Sequence, residues 1–251
     1  MLRHYFLMRH QLERSFDILF FPMMSLVLWG FLSRYASGLQ SSRLGAFLLG
    51  GMILWVVFER VGTDIGISFM YDVWEHNVVN ILVSPITLLE YMLGLVLLAV
   101  VKALVSLVLM AVLAAAFYNF RITAFGLQLA AFWVNLVVFA MAFGIFNVAL
   151  VLRYGHSVGP LTWILPFVLQ PFAAVFYPVS VLPGAFRAIA FVMPISHVFE
   201  GMRRALTTGA VDLPQLLLAF SLGLVYLGLA VAIYGQVLYA ARRSGCLVKL
   251  T

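Results

Sequence analysis

The sequence predicts an all-α polytopic membrane protein: six transmembrane helices, an N-terminal interfacial helix and a re-entrant helical hairpin before the last span. Three observations carry this. Of the 251 residues, 65% are hydrophobic and only 10% are charged, more apolar surface than a soluble domain of this length buries. The apolar residues fall in runs of the length that crosses a bilayer core, about 20 residues per helix. The runs alternate with short polar stretches that hold most of the charge. In hydrocarbon a chain must satisfy its own backbone polar groups, and runs of this length do so as helices.

Composition also excludes. The net charge of +6 is spread over scattered arginines, with no basic tract and no aromatic–basic interleaving. This argues against nucleic acid as a partner and for membrane lipids with anionic headgroups. The single cysteine, Cys246, leaves no internal disulfide and no CxxC metal site. The histidines, at 4, 10, 76, 156 and 197, show no H-x-x-x-H or HExxH spacing, so no metal site is expected. A phosphate-binding loop needs Gly-Lys-[Ser/Thr], and the lysines, Lys102 and Lys249, each follow a valine. The chain is therefore expected to carry no ATP site and no cofactor of its own. It has no G-x-S-x-G nucleophile elbow, so no enzyme activity is expected.

Taken in order, residues 1–14 set Arg3, His4, Arg9, His10, Glu13 and Arg14 among Leu2, Tyr5, Phe6, Met8 and Leu12. They read either as an amphipathic helix in the membrane interface or as a plain positive flank. The first span is 15–32. The segment preceding it and the lack of an A-x-A site argue for a retained helix over a signal peptide. A polar loop, 33–43, leads to the second span, 44–70. Its apolar run ends at Phe58, too soon to cross, so the span must continue through Glu59, Arg60 and Asp64. The third span, 88–117, holds Lys102 near its middle. The fourth, 125–152, carries no charge, and the fifth, 161–177, contains Pro166 and Pro171. Residues 178–204 are apolar but broken by Pro178, Pro183, Gly184 and Pro194. Two short helices dipping into the bilayer and out again fit them better than one span. The sixth span is 213–239, followed by a basic tail.

Six spans put both termini on one side. Basic residues divide almost evenly between the two sides, and the two ends are the most basic clusters, which favours cytoplasmic termini. Within the second and third spans, Glu59, Arg60, Asp64 and Lys102 form an intramembrane charge cluster, either structural or lining a pore. At about 1.5 Å per residue, Glu59 and Lys102 both lie roughly 18–21 Å from the cytoplasmic end. Buried charges pair, so Glu59 is predicted to contact Lys102, with Arg60 or Asp64 joining. The alternative is that Lys102 snorkels to an interface.

Between these spans, residues 71–85 form a polar island with Asp72, Glu75, His76, Asn77 and Asn80. Val73, Trp74, Asn77, Val78, Ile81 and Leu82 can share one helical face. The island is either a connecting loop or a surface helix that docks into a partner.

Two stretches carry a resemblance that covers nearly the whole chain. Asn77-Val-Val-Asn-Ile-Leu-Val-Ser-Pro85 is similar to a Gly-Thr-Leu-Glu-x-Leu-x-x-Pro coupling segment. Leu82, Ser84 and Pro85 agree with it, Asn77 and Asn80 replace Gly and Glu, and Glu75 stands as a substitute acid. Val175-Phe-Tyr-Pro-Val-Ser-Val-Leu-Pro183, then Pro194 and Glu200-x-x-Arg203, is similar to a re-entrant hairpin, with Ala174 at a usual glycine. In this order the two stretches resemble the permease subunit of ABC-2-type ATP-binding cassette exporters. That resemblance implies half of a translocation pore in the cell (inner) membrane. The other half is a second copy or a close relative. Two copies of a cytoplasmic ATPase, carrying ATP and Mg, supply the power. It further implies coupling residues Trp74, Glu75, His76, Asn77, Asn80, Leu82, Ser84 and Pro85. The gate would hold Tyr177, Pro178, Leu182, Pro183, Pro194, Glu200 and Arg203. The competing readings are an autonomous secondary transporter or channel, which would show inverted repeats or glycine-broken helices at mid-membrane, and a lipid-modifying membrane enzyme. The 22 Phe, 10 Tyr and 5 Trp suit a path for sugars or flat apolar molecules, and equally suit lipid-facing bulk and interfacial belts.

Overall fold

A computed structural model describes residues 12–39, 42–75 and 77–243. The assigned interfacial helix (except its last residues), His76 and the tail beyond residue 243 lie outside the described residues. Nine α-helices make up the described residues, with no strand among them: α1 (Leu12–Leu39), α2 (Ser42–Trp74), α3 (Val78–Val83), α4 (Leu88–Tyr118), α5 (Leu127–Tyr154), α6 (Gly159–Leu169), α7 (Gly184–Val192), α8 (Pro194–Thr208) and α9 (Leu213–Arg243). Among the described residues, α2, α4, α5 and α9 are long and apolar enough to cross a membrane.

The core is built around α2, against which α1, α4, α5, α6 and α8 pack. Trp55 and Phe58 are buried on it, and Phe58 meets Phe139 and Phe143 of α5 at ring-centre distances of 5.4 and 5.6 Å. Between membrane helices the hydrophobic drive is weak, and close approach through small residues replaces it. Gly62-Thr-Asp-Ile-Gly66 on α2 supplies that approach. A Cβ at Gly62 would stand 2.7 Å from the Phe143 ring and one at Gly66 2.9 Å from Asn147 Cβ. From α5, a Cβ on Gly144 would stand 2.7 Å from Ile65. The outward side is apolar as well. Leu93, Leu97, Val101, Leu104, Val108 and Val112 form an exposed stripe along α4, and most of α9 is exposed. That is a surface suited to lipid rather than water.

Helix ends follow local chemistry. Thr87 begins α4 with a reciprocal capping box: the Glu90 carboxylate accepts the Thr87 N–H at 2.8 Å, and the Thr87 hydroxyl accepts the Glu90 N–H. Asn119, at φ 52°, closes it in the left-handed region that asparagine tolerates.

Three expected boundaries are corrected. The loop expected at 33–43 is mostly helix, because α1 continues to Leu39; no proline falls within residues 33–39, and the Ser33 hydroxyl donates to Gly45 C=O at 2.8 Å across the turn. The helix expected to end at residue 70 runs on to Trp74. The fifth span, expected as one helix over 161–177, is helical only through the 11 residues of α6, about 16 Å or half the hydrocarbon thickness. Pro171 has no N–H to continue the ladder. The Phe172 and Ala173 N–H groups both fall back on Leu169 C=O at 3.0 Å, and Ala174 turns to φ 54°.

Candidate coupling segment and gate

The polar island is not one helix. α2 ends at Trp74, the chain breaks, and α3 is a separate helix of six residues. The cause lies in Asp72 and Asn77. The Asn77 N–H donates to Asp72 C=O at 2.9 Å, closing α2, and the Asn77 amide donates to Asp72 Oδ1 at 3.0 Å. At the far end Ser84 N–H reaches Asn80 C=O, the Ser84 hydroxyl donates to Ile81 C=O at 2.6 Å, and Pro85 cannot extend the helix.

Asp72 is only 2% exposed, and Tyr91 on the first turn of α4 donates to its Oδ2 at 2.5 Å. One buried carboxylate thus fastens the end of α2, the start of α3 and the start of α4. Its environment is low in dielectric, and charge-assisted bonds there are strong. The fastening leaves Glu75, Asn80, Val83, Pro85 and Ile86 exposed, Val83 by 81%. Asn77 and Ser84 are half-buried. Trp74 turns inward: it meets Tyr71 edge-on at 5.6 Å and lies within reach of Gly159 at the start of α6. Leu82 lies within α3. Sequence reasoning missed the Asp72–Tyr91 bond and the exposed Val83 and Ile86. The Thr87-x-x-Glu90 box marks where α4 starts, and hence that Tyr91 faces back towards α2. Asp72→Ala removes the acceptor of the Tyr91 hydroxyl and of the Asn77 amide, at about 1 kcal/mol per bond. It is expected to speed amide hydrogen exchange across 77–84 while α5 keeps its protection.

At the other end of α2 the hairpin residues gather on one arginine. Arg203 of α8 donates to Ala174 C=O, to Tyr177 C=O at 2.6 Å and to Glu200 Oε1 at 2.7 Å, and its guanidinium lies 4.5 Å from the centre of the Phe47 ring. Glu200 Oε1 also accepts the Val179 N–H at 2.7 Å, and Tyr177 donates its hydroxyl to Pro171 C=O at 2.5 Å. Glu200-x-x-Arg203 is therefore a staple between α8 and the turn 171–181. Arg has the planar fork for such multiple donation, and Lys would not replace it. The remaining expected gate residues shape the chain. Pro178 is extended before a 3₁₀ turn, Leu182 is buried, Pro183 precedes α7, and Pro194 starts α8 at its first position. Arg187, not among the expected gate residues, donates to Ser180 and Leu182 carbonyls at 2.7 and 3.2 Å. Buried Ala174 holds φ 54° where the resembling motif has glycine. A non-glycine residue pays roughly 1–2 kcal/mol there, so Ala174→Gly is expected to raise the melting temperature of the purified protein.

The charge cluster forms, but with different partners from those expected. Lys102 Nζ lies 3.6 Å from Asp64 Oδ2, and Arg60 3.8 Å from Asp64 Oδ1. The predicted Glu59–Lys102 contact is replaced by Asp64–Lys102. Because α2 extends four residues further than expected (70 to 74), the level of Lys102 shifts by about 6 Å along it. Asp64, five residues beyond Glu59, is the carboxylate that reaches Lys102 of α4. Among the described residues no group of three His, Cys, Asp or Glu side chains is placed to hold a metal.

Long apolar helices with an exposed apolar girdle and charges paired in the interior define a multi-pass membrane protein. A family model for the ABC-2 type transporter matches residues 6–207, so the chain belongs to that family of membrane permeases, whose role is transport. No match is found among curated proteins.

Proposed function

We propose that the chain forms half of an export pore, joined by a second copy or a close relative. A separate cytoplasmic ATPase pair, holding ATP and Mg, drives it. The observation that carries this reading is the polar island. It is fastened from beneath by one buried carboxylate and presents Glu75, Asn80, Val83 and Pro85 outward. A connecting loop needs no such anchor; a docking element does, because rigidity lowers the cost of binding. Trp74, His76, Asn77, Leu82 and Ser84 complete the coupling set.

On this reading α1, α2, α4, α5, the broken segment 159–177 and α9 are six crossings of the cell (inner) membrane, with both termini cytoplasmic. The pair α7–α8 is a re-entrant hairpin at the outer face. Supporting the hairpin, Phe186, Ile189, Phe191 and Val192 of α7 are exposed and apolar, a costly surface in water. Tyr177, Pro178, Leu182, Pro183, Pro194, Glu200 and Arg203 would gate the exit.

The test is reconstitution. The purified chain alone should hydrolyse no ATP. Glu75→Ala and Val83→Asp should weaken association with the ATPase by on the order of 2 kcal/mol while leaving the melting temperature unchanged. ATP hydrolysis by the isolated chain, or normal ATPase capture by both variants, would refute the proposal.

A further inference from the structure

The end of α2, the 3₁₀ turn Gly155–Val158 and the start of α6 line a half-open cavity of about 380 Å³. It is lined by Met70, Trp74, Ser157, Gly159, Pro160 and Trp163. Its wall is almost wholly apolar, and its volume falls in the range of small-molecule sites, about 300–1,000 Å³. We propose that this cavity holds one acyl chain of an anionic phospholipid whose headgroup sits at Arg153.

Four observations support that occupant. Trp163, which lines the cavity, is itself exposed, and Leu161, Ile164, Phe167 and Val168 of the same helix are exposed with it. A lipid chain therefore enters sideways from the membrane without crossing water. The two tryptophans flank the cavity at a helix end, where amphipathic rings settle between headgroups and chains. Gly159 keeps the space open, since a Cβ there would stand 2.9 Å from Met70 Sδ and 3.4 Å from the Trp74 ring. The fourth is a charge close by in the chain. Arg153 lies in the last turn of α5, directly before the turn that lines the cavity. It is exposed and rests over the Tyr154 ring at 5.6 Å. Among the described residues no carboxylate pairs with it. An exposed arginine at a membrane surface attracts anionic headgroups, and its forked donors suit a phosphate.

The site adjoins the proposed coupling set through Trp74, which lines it, while Glu75 and Val83 are exposed.

Photo-crosslinking tests it. The full chain is reconstituted in vesicles containing a phospholipid with a diazirine at mid-chain, supplied with either an anionic or a zwitterionic headgroup, and adducts are mapped by mass spectrometry. Met70 is 1% exposed, so only a chain inside the cavity reaches it. The expected result is adducts at Met70 and within 159–163, stronger with the anionic lipid. Gly159→Leu should abolish them while adducts on the exposed face of α9, at Leu217 and Val225, persist as the control for folding and insertion. Ser157→Phe, made at an exposed position, blocks the mouth and replaces Gly159→Leu if that variant loses the α9 adducts. Arg153→Gln should erase the headgroup preference and keep the Met70 adducts. Absence of Met70 labelling, equal labelling by both lipids, or labelling that survives a filled cavity would overturn the proposal.

Discussion

Asp64→Asn is expected to destabilise the protein more than the double variant Asp64→Asn, Lys102→Met. Asp64 is buried and lies within 4 Å of two cations, Lys102 at 3.6 Å and Arg60 at 3.8 Å. Removing its charge leaves the lysine inside the bundle without this counter-ion. Breaking a buried pair from one side costs about 3–5 kcal/mol, whereas replacing both partners by neutral groups is often close to neutral. Lys102→Met alone should fall between wild type and Asp64→Asn, because Arg60 remains beside the carboxylate. The measurement is the melting temperature of the four proteins in one detergent. A double variant that loses the sum of the single losses would show that the Asp64–Lys102 contact carries no coupling. The same ordering with Glu59→Gln in place of Asp64→Asn would return the pairing to the residue the depth argument had chosen.

Gly144→Leu should prevent α2 and α5 from closing. Even a Cβ at this position would stand 2.7 and 2.8 Å from Ile65 and 3.1 Å from the carbonyl of Gly62. The second of these obstacles is backbone, which cannot rotate away. Overpacking a closed core costs about 1–3 kcal/mol and at times more. Separation of the helices also breaks the bond from the Asn147 amide to Gly62 C=O, 3.4 Å long and wholly buried. Gly144→Ala should show a smaller loss in the same direction. Gly228→Leu on α9, where a Cβ meets nothing within 4 Å, is the control and should leave stability unchanged. Folded yield and melting temperature decide, and an unaltered Gly144→Leu protein would mean that the crossing is not tight.

Much of the helical layout is legible from hydropathy and turn chemistry. The apolar runs at 88–117 and 125–152 are bounded by Asn119 and Gly126, and they coincide with α4 and α5 to within two residues. Helix ends in polar sequence are less legible. Nothing between Ser33 and Leu39, or between Tyr71 and Trp74, forbids a helix, so tertiary fastening at Gly45 and at Asn77 determines where each stops. That error propagates. The four-residue extension of α2 moves every depth inferred along it by about 6 Å, which leaves the choice between Glu59 and Asp64 to the face each presents to Lys102. The prolines at 166 and 171 were visible in the sequence, yet only one ends α6. The carbonyls released beyond Pro171 are taken by an arginine 29 residues away, a long-range choice that local spacing does not encode. Glu200 and Arg203 could be picked out by their motif, whereas Asp72 and Tyr91, 19 residues apart on different helices, belong to no pattern. The Gly62-x-x-x-Gly66 spacing is present in the sequence, set among the charges of Glu59, Arg60 and Asp64.

The geometry of α2 has a mechanical consequence. It is a single helix of 33 residues without proline, about 50 Å long, gripped by neighbours along most of its length. At one end the Asp72 carboxylate bolts it to α4. Towards the other, Phe47 lies beneath Arg203, and Gly51 admits the Val175 carbonyl to where a Cβ would stand 2.9 Å away. Hydrogen bonds parallel to the axis make a helix stiff in compression and tension. α2 thus has the build of a strut, with a buried carboxylate fastening one end and the Arg203 guanidinium over Phe47 near the other.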